Sequence, residues 1–245
     1  MVKRAVIRTI LLIVVTTGAV AQQAESNGGL YSHSAVSIWG GGSRLIIPSP
    51  DGNRAIIVQP PRSPESDETH TVTVKASGRE YRTKIGAWVN AEAAWAPDSK
   101  AFFVTYSDGG NVGTYHVKVI YVTKDGLHVI EPIANGRRLF VPTCFDPERP
   151  NVAAVTWVGH DSSRLLIAIQ EPPHSSCASM GTFRAFEIAL PGGNVVSRYG
   201  QIEAKKLFSN DMGIELRNAD DACIQKPQTC VPSGLNSHGK QAAGR

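Results

Sequence analysis

The sequence lacks the residue patterns that identify most common enzymes and metal sites. It has no Gly-x-Ser-x-Gly nucleophile elbow, no His-Glu-x-x-His zinc motif, no phosphate-binding Gly-rich loop and no EF-hand loop. Gly40-Gly41-Gly42 follows Trp39, but this spacing fits a flexible turn and not a dinucleotide-binding fingerprint. The sequence therefore assigns no catalytic, cofactor-binding or metal-ligating residue, and we expect no cofactor.

The body of the chain also has little net charge. The full sequence holds 25 Lys and Arg residues against 21 Asp and Glu residues. Three of the basic residues, Lys3, Arg4 and Arg8, lie in the first ten positions, which leaves 22 basic against 21 acidic residues. A near-neutral body gives no electrostatic reason to expect nucleic acid as a partner.

Residues 1–21 have the three parts of a cleavable secretory signal peptide. The basic stretch is followed by an apolar run from Ile10 to Val15, and Ala19-Val20-Ala21 supplies the small residues that a signal peptidase requires. The apolar stretch is roughly a dozen residues long, whereas a membrane-spanning helix needs about 20. We expect cleavage between Ala21 and Gln22, export to the periplasm or the extracellular space, and no stable membrane anchor afterwards. An uncleaved anchor is the alternative.

The chain has four cysteines, an even number that fits an oxidising compartment. Cys223 and Cys230 flank a segment in which Pro227 favours a turn, so we expect them to form a local disulfide. That choice leaves Cys144 to pair with Cys177. A metal site is the alternative, but the cysteines form no Cys-x-x-Cys pair and no His stands at ligand spacing from them.

A turn motif recurs three times, each time before an apolar strand. The copies are Ser49-Pro50-Asp51-Gly52-Asn53-Arg54, Trp95-Ala96-Pro97-Asp98-Ser99-Lys100 and the longer Trp157-Val158-Gly159-His160-Asp161-Ser162-Ser163-Arg164. The Asp side chain can accept backbone N–H bonds across the turn, and a preceding Trp can pack between layers. We interpret Asp51, Asp98, Asp161, Trp95 and Trp157 as structural residues of a repeat. His160-Asp161-Ser162 is part of this turn and not a catalytic triad, because adjacent residues cannot converge as a triad requires.

Each copy is embedded in a unit of four predicted strands, since apolar β-branched runs alternate with Gly, Pro, Asn and Asp clusters. No stretch after the signal peptide shows sustained helical periodicity. The predicted strands are 44–47, 54–59, 70–76 and 80–85 in the first unit, 91–95, 100–106, 114–122 and 127–132 in the second, and 151–158, 164–171, 182–190 and 194–199 in the third. A decayed fourth copy at 209–213 predicts a further strand at 214–217, which the segment 36–39 would complete.

Trp-Ala-Pro-Asp-Ser-Lys and Ser-Pro-Asp-Gly-Asn-Arg resemble the TolB-type, WD40-like β-propeller repeat. The resemblance implies an all-β, propeller-like domain over residues 30–230, with three four-stranded blades and a fourth closed by the N-terminal strand. The alternatives are an open blade array that forms a homodimer through its uncovered edges, and a β-sandwich. Residues 22–29 and 231–245 are polar and are predicted to be a disordered linker and a disordered tail.

These observations favour an exported, non-catalytic binding protein of the cell envelope or the secreted fraction. Its partner would be a protein or an envelope component, contacted through the loops 60–70 and 172–181. The alternative is a small secreted hydrolase or lyase with its site in the propeller channel.

Overall fold

The computed structural model describes residues 28–38, 43–60, 71–83, 90–109, 113–133, 139, 149–175 and 179–225. Within these residues the chain is mostly β-strand, and three short helices follow the last strand. The elements are β1 (Val36–Ser37), β2 (Leu45–Pro48), β3 (Arg54–Gln59), β4 (Thr71–Ala76), β5 (Arg79–Arg82), β6 (Ala91–Trp95), β7 (Ala101–Ser107), β8 (Tyr115–Thr123), β9 (Gly126–Ile130), β10 (Asn151–Trp157), β11 (Arg164–Gln170), β12 (Phe183–Ala189), β13 (Asn194–Gly200), α1 (Gln201–Phe208), α2 (Ile214–Asn218) and α3 (Ala222–Gln225).

The strands form three antiparallel sheets, each built on four strands that are consecutive in the chain. Sheet I has the order β2-β3-β4-β5, sheet II the order β6-β7-β8-β9, and sheet III the order β10-β11-β12-β13. The short β1 adds a fifth strand to sheet II, where Val36 lies opposite Ala93 and Ser37 opposite Glu92. The prediction of three four-stranded antiparallel units is confirmed, and the observed strand ends differ from the predicted ones by no more than three residues.

The predicted fourth unit is wrong. The segment expected to be its strand is helix α2, and the segment expected to complete it is β1, which pairs with β6 of sheet II. The residues of α2 explain the difference, because Leu, Glu and Arg favour helix whereas the β-branched residues of the true strands do not. A single antiparallel bridge between Ser32 and Met212 remains where a strand pair was expected.

Helix α1 departs from the predicted all-β fold. Its eight residues make about two turns, which is too short for a sustained helical period in the sequence. Gln201 and Ala204 are its buried residues, and α1 packs on β12 and β13 of sheet III. No helix among the described residues is long and apolar enough to cross a membrane.

The sheets pack face to face, and an apolar core lies on each face of sheet II. Alternation along β7 shows this, since Phe102 and Val104 belong to the apolar core between sheets I and II, whereas Phe103 belongs to the core between sheets II and III. The far face of sheet III is covered by Tyr31 and by residues of α1 and α2, among them Leu216. All seven residues of β7 are buried, because this central strand has an apolar core on each of its two faces.

Two ends of this stack matter for the sites described below. The first strand of each sheet runs into one of the three Asp turns, and the hairpin between its third and fourth strands returns to the same side. We call this side the turn end. The opposite side, where the first strands begin and the second and third strands are joined, is the loop end.

Candidate functional site

The three Asp turns are each closed by the carboxylate of their own aspartate. Asp51 accepts a hydrogen bond from the backbone N–H two residues on at 3.0 Å, Asp98 does so at 3.0 Å and Asp161 at 2.9 Å. The Ser49 hydroxyl and this N–H lower the pKa of Asp51 to about 2, and the Ser163 hydroxyl and N–H likewise lower the pKa of Asp161. Asp51 and Asp161 therefore remain ionised acceptors at neutral pH.

Hydrogen bonds also join each turn to the turn of the next unit. The backbone N–H of Asp51 donates to the Ser99 hydroxyl at 3.0 Å. One unit further, the Asp98 carboxylate accepts from the backbone N–H of Ser162 at 3.2 Å and from its hydroxyl at 3.0 Å. Ser99 has a φ of 61°, a left-handed conformation that this buried position imposes on a residue other than glycine. The turn end is thus tied together from sheet I to sheet III.

The two repeat tryptophans brace the same interfaces from the core side. The Trp95 indole N–H donates to the backbone oxygen of Ile47 at 3.0 Å, and the Trp157 indole N–H donates to that of Ala94 at 3.4 Å. Each acceptor stands four residues before the turn aspartate of the preceding unit. The rings pack on Phe102 and Phe103, with ring centroids 5.0 and 6.0 Å apart.

A cleft of about 380 Å³ opens at the turn end between sheets I and II. Its walls are the hairpin turn between β4 and β5 and the hairpin turn between β8 and β9. Three cationic side chains line it, Arg54 at the start of β3, Arg79 on β5 and Lys124 on the second hairpin turn. Tyr81 and Ser77 add a ring and hydroxyl groups. A cleft with these donors can hold an anion, because each cation offers several N–H groups.

A buried carboxylate occupies the loop end of sheet II. Glu92 is only 2% exposed, and it accepts the backbone N–H of Tyr31 at 3.2 Å and of Ser32 at 3.2 Å. Burial raises the pKa of Glu92 to about 8, because the lost hydration outweighs the stabilising N–H bonds from residues 30–32. A Cβ at Gly29 would lie 2.1 Å from Oε2 of Glu92, so only glycine fits the segment at this point.

The Tyr31 side chain extends this polar cluster into sheet III and α2. Its hydroxyl donates to the Gln170 side-chain oxygen at 3.2 Å and accepts from the Asn151 amide at 3.1 Å. The Asn151 oxygen accepts the backbone N–H of Tyr115 at 3.0 Å, and the Gln170 amide donates to Glu215 at 3.0 Å. Burial raises the pKa of Tyr31 well above its usual value, so the phenol stays neutral. The cluster clamps the segment before β1 between sheets II and III.

The predicted cysteine pairs lie outside the part of the chain that the structure describes. Cys144, Cys177 and Cys230 lie outside the described residues, and so does the side chain of Cys223, whose backbone belongs to α3. The signal peptide with its cleavage site and the tail 231–245 are outside them as well. Both pairings and the cleavage remain predictions.

His160 and His116 lie at or near the surface. His160 is exposed in the third Asp turn. His116 lies beside Asp108, with Nε2 3.0 Å from Oδ2. Within the described part of the chain, His, Cys, Asp and Glu side chains nowhere gather in groups of three that could hold a metal ion.

Sequence motifs did not reveal the cleft or Glu92. Apart from Arg54, the cleft residues come from two hairpins 47 positions apart, Ser77 to Lys124, and the sequence gives no sign that these hairpins meet. Glu92 does carry a signal, because it is the one charged residue of the strand Ala91–Trp95. An acid inside a strand that is otherwise apolar needs buried partners. No protein-family model, no curated protein and no solved structure matches this chain.

Proposed function

We propose that the protein is an exported, non-catalytic binding protein whose three sheets are consecutive blades of a TolB-type, propeller-like array. Support for the repeat comes from equivalent contacts at both interfaces between sheets. At each of them an indole N–H bonds to the same position of the preceding unit, and a turn serine bonds to the preceding turn. Four antiparallel strands in chain order are what a propeller blade contains.

The bracing of the turn end is the observation that carries the binding role. Three sheets tied by Asp51, Asp98 and the two tryptophans form a stiff support, and their loops and clefts are the parts left to vary. A stiff support lowers the conformational cost of binding, since the recognition surface is held in place before the partner arrives.

We place the partner contact on the loop end, at the loop 172–181 that joins β11 to β12. The described part of this loop is held at its base by two bonds, from the Glu171 N–H to Thr182 at 2.9 Å and from the Gly181 N–H to Glu171 at 2.9 Å. The loop can therefore be shortened without cutting the strands that carry it. The matching loop of the first unit, 61–70, lies outside the described residues.

The test is capture of envelope components by the full exported chain and by a loop variant. In the variant, residues 173–180 are replaced by Asn-Gly, which suits a tight hairpin, and Cys144→Ser is added because the replacement removes its predicted disulfide partner Cys177. A control keeps the loop length and carries Cys144→Ser and Cys177→Ser, together with Glu203→Ala and Lys206→Ala on the exposed side of α1. We expect the wild type and the control to capture the same component and the loop variant to lose it. Equal capture by all three would contradict the assignment of the loop.

A further inference from the structure

We propose that the cleft between sheets I and II is a binding site for a small organic oxyanion, a molecule that carries a phosphate or carboxylate group. The inference rests on the proposed binding role and gives it a ligand class. It is carried by the charge of the cleft, by the anchoring of one of its cations, and by a difference between the two interfaces of the stack.

The lining of the cleft carries positive charge without a carboxylate among its members. Arg54, Arg79 and Lys124 line it. The acid next to Arg79 is Glu80, and alternation along β5 turns its side chain to the other face of the strand. Asp125 follows Lys124 in the hairpin turn and is also outside the lining. The three cations therefore act together on whatever enters.

One of these cations is already held in position. The Arg54 guanidinium donates through Nη1 to the backbone oxygen of Ser99 in the next turn. A guanidinium has five N–H donors in a planar fork, so this bond fixes the group and leaves other donors for a ligand. Planar forks of this kind match the oxygens of carboxylate and phosphate groups. Arg54 is therefore held in position in the cleft before a ligand binds.

At the interface between sheets II and III, a different side chain makes the contact that corresponds to the bond between Arg54 and Ser99. There the equivalent backbone oxygen, that of Ser162, accepts a bond from the Tyr121 hydroxyl at 3.1 Å. Tyr121 stands opposite Ala101 in sheet II, and the equivalent pair in sheet I is Ala76 opposite Arg54, both of which line the cleft. A phenol bonds the turn at one interface and a guanidinium at the other. The first interface therefore presents a cation where the second presents a neutral group.

The remaining lining residues offer contacts to the uncharged part of a ligand. Tyr81 and Val122 supply aromatic and apolar surface beside the cations. A volume of about 380 Å³ lies within the range of small-molecule sites. An aromatic or aliphatic group joined to one oxyanion fits this combination.

The experiment is a calorimetric titration of the full exported chain with three probes of similar size. Phenyl phosphate and benzoate carry the two candidate oxyanions on one ring, and benzyl alcohol carries none. We expect at least one of the first two probes to bind, with an affinity that falls several-fold when salt is raised from about 50 to about 500 mM. The better of the two identifies the oxyanion, and benzyl alcohol is expected not to bind.

A charge variant locates the site. Arg79→Gln with Lys124→Gln removes two exposed cations and leaves Arg54 and its bond to Ser99 intact. The control, Lys206→Gln with Arg217→Gln, removes the same charge from exposed positions on α1 and α2. We expect the first variant to weaken binding at least about tenfold and the control to leave it unchanged.

Two results would overturn the proposal. One is the absence of binding by both oxyanion probes up to about 10 mM, which is weaker than a useful site. The other is equal binding by the charge variant and the control. Neither result touches the capture experiment at the loop end, so a failure here is distinguishable from a failure of the proposed function.

Discussion

The buried carboxyl of Glu92 makes the stability of the protein depend on pH in an unusual direction. Its pKa is about 8 in the folded protein and near 4.5 when the chain is unfolded. A raised pKa means that the folded state holds a proton that the unfolded state releases. Below pH 4.5 both states hold the proton, so Glu92 does not make the free energy of unfolding depend on pH there. Its destabilising effect grows as the pH rises from 4.5 to 8.

The size of the effect follows from the two pKa values. Between them the free energy of unfolding falls by about 1.4 kcal/mol per pH unit, and from pH 5 to pH 9 the loss is about 4 kcal/mol. The groups facing Glu92 do not share the titration, because burial raises the pKa of Tyr31 and of Tyr115 further above 10. Glu215 lies beyond Tyr31 in the same cluster and is only half-buried.

The assay is chemical denaturation at pH 5, 7 and 9 for the wild type and Glu92→Gln. Gln keeps the shape and one acceptor oxygen but removes the proton equilibrium, so this part of the pH dependence is expected to disappear. The lost acceptor lowers the free energy of unfolding of the variant by about 1 kcal/mol, and this contribution is the same at all three pH values. Glu203→Gln, at an exposed position on α1, is the control and keeps the slope of the wild type. Parallel curves for wild type and Glu92→Gln would refute the reasoning.

Three further predictions concern the hydrogen bonds within and between the units and the N-terminus. Asp98→Ala removes bonds within its turn and to the third unit, so it is expected to lower the free energy of unfolding by about 1–3 kcal/mol, more than Asp161→Ala, whose carboxylate, among the described residues, accepts hydrogen bonds only within its own turn; equal losses in denaturant titrations would contradict this. The buried Thr105 hydroxyl oxygen accepts the backbone N–H of Ala154 at 3.0 Å, so Thr105→Val is expected to cost about 1–3 kcal/mol and Thr105→Ser clearly less, measured by thermal unfolding; a reversed order would count against the bond. Mass-spectrometric sequencing of exported protein is expected to begin at Gln22, and an intact N-terminus would disprove cleavage.

The repeat was predictable because local chemistry dictates it. The turn that contains Asp98 closes on its own backbone, and the apolar runs on either side, Ala91–Trp95 and Ala101–Ser107, have the length of strands and are bounded by turn residues. The same local reasoning failed at residues 214–217. An apolar residue alternating with a charged one fits a strand and a single helical turn equally well, and the packing of Leu216 against sheet III decides for the helix.

The candidate site was not predictable for a related reason. The contacts that join the units, which we call the frame, are nearly the same at the two interfaces. Trp95 and Trp157 bond equivalent carbonyls, and Ser99 and Ser162 bond the preceding turns. A specific site needs a departure from the repeat. That departure comes from side chains that leave the frame intact, such as Arg54 bonding the turn at one interface. Because such exchanges cost the fold little, no local pattern marks them, and they become visible only when the two interfaces are compared in three dimensions.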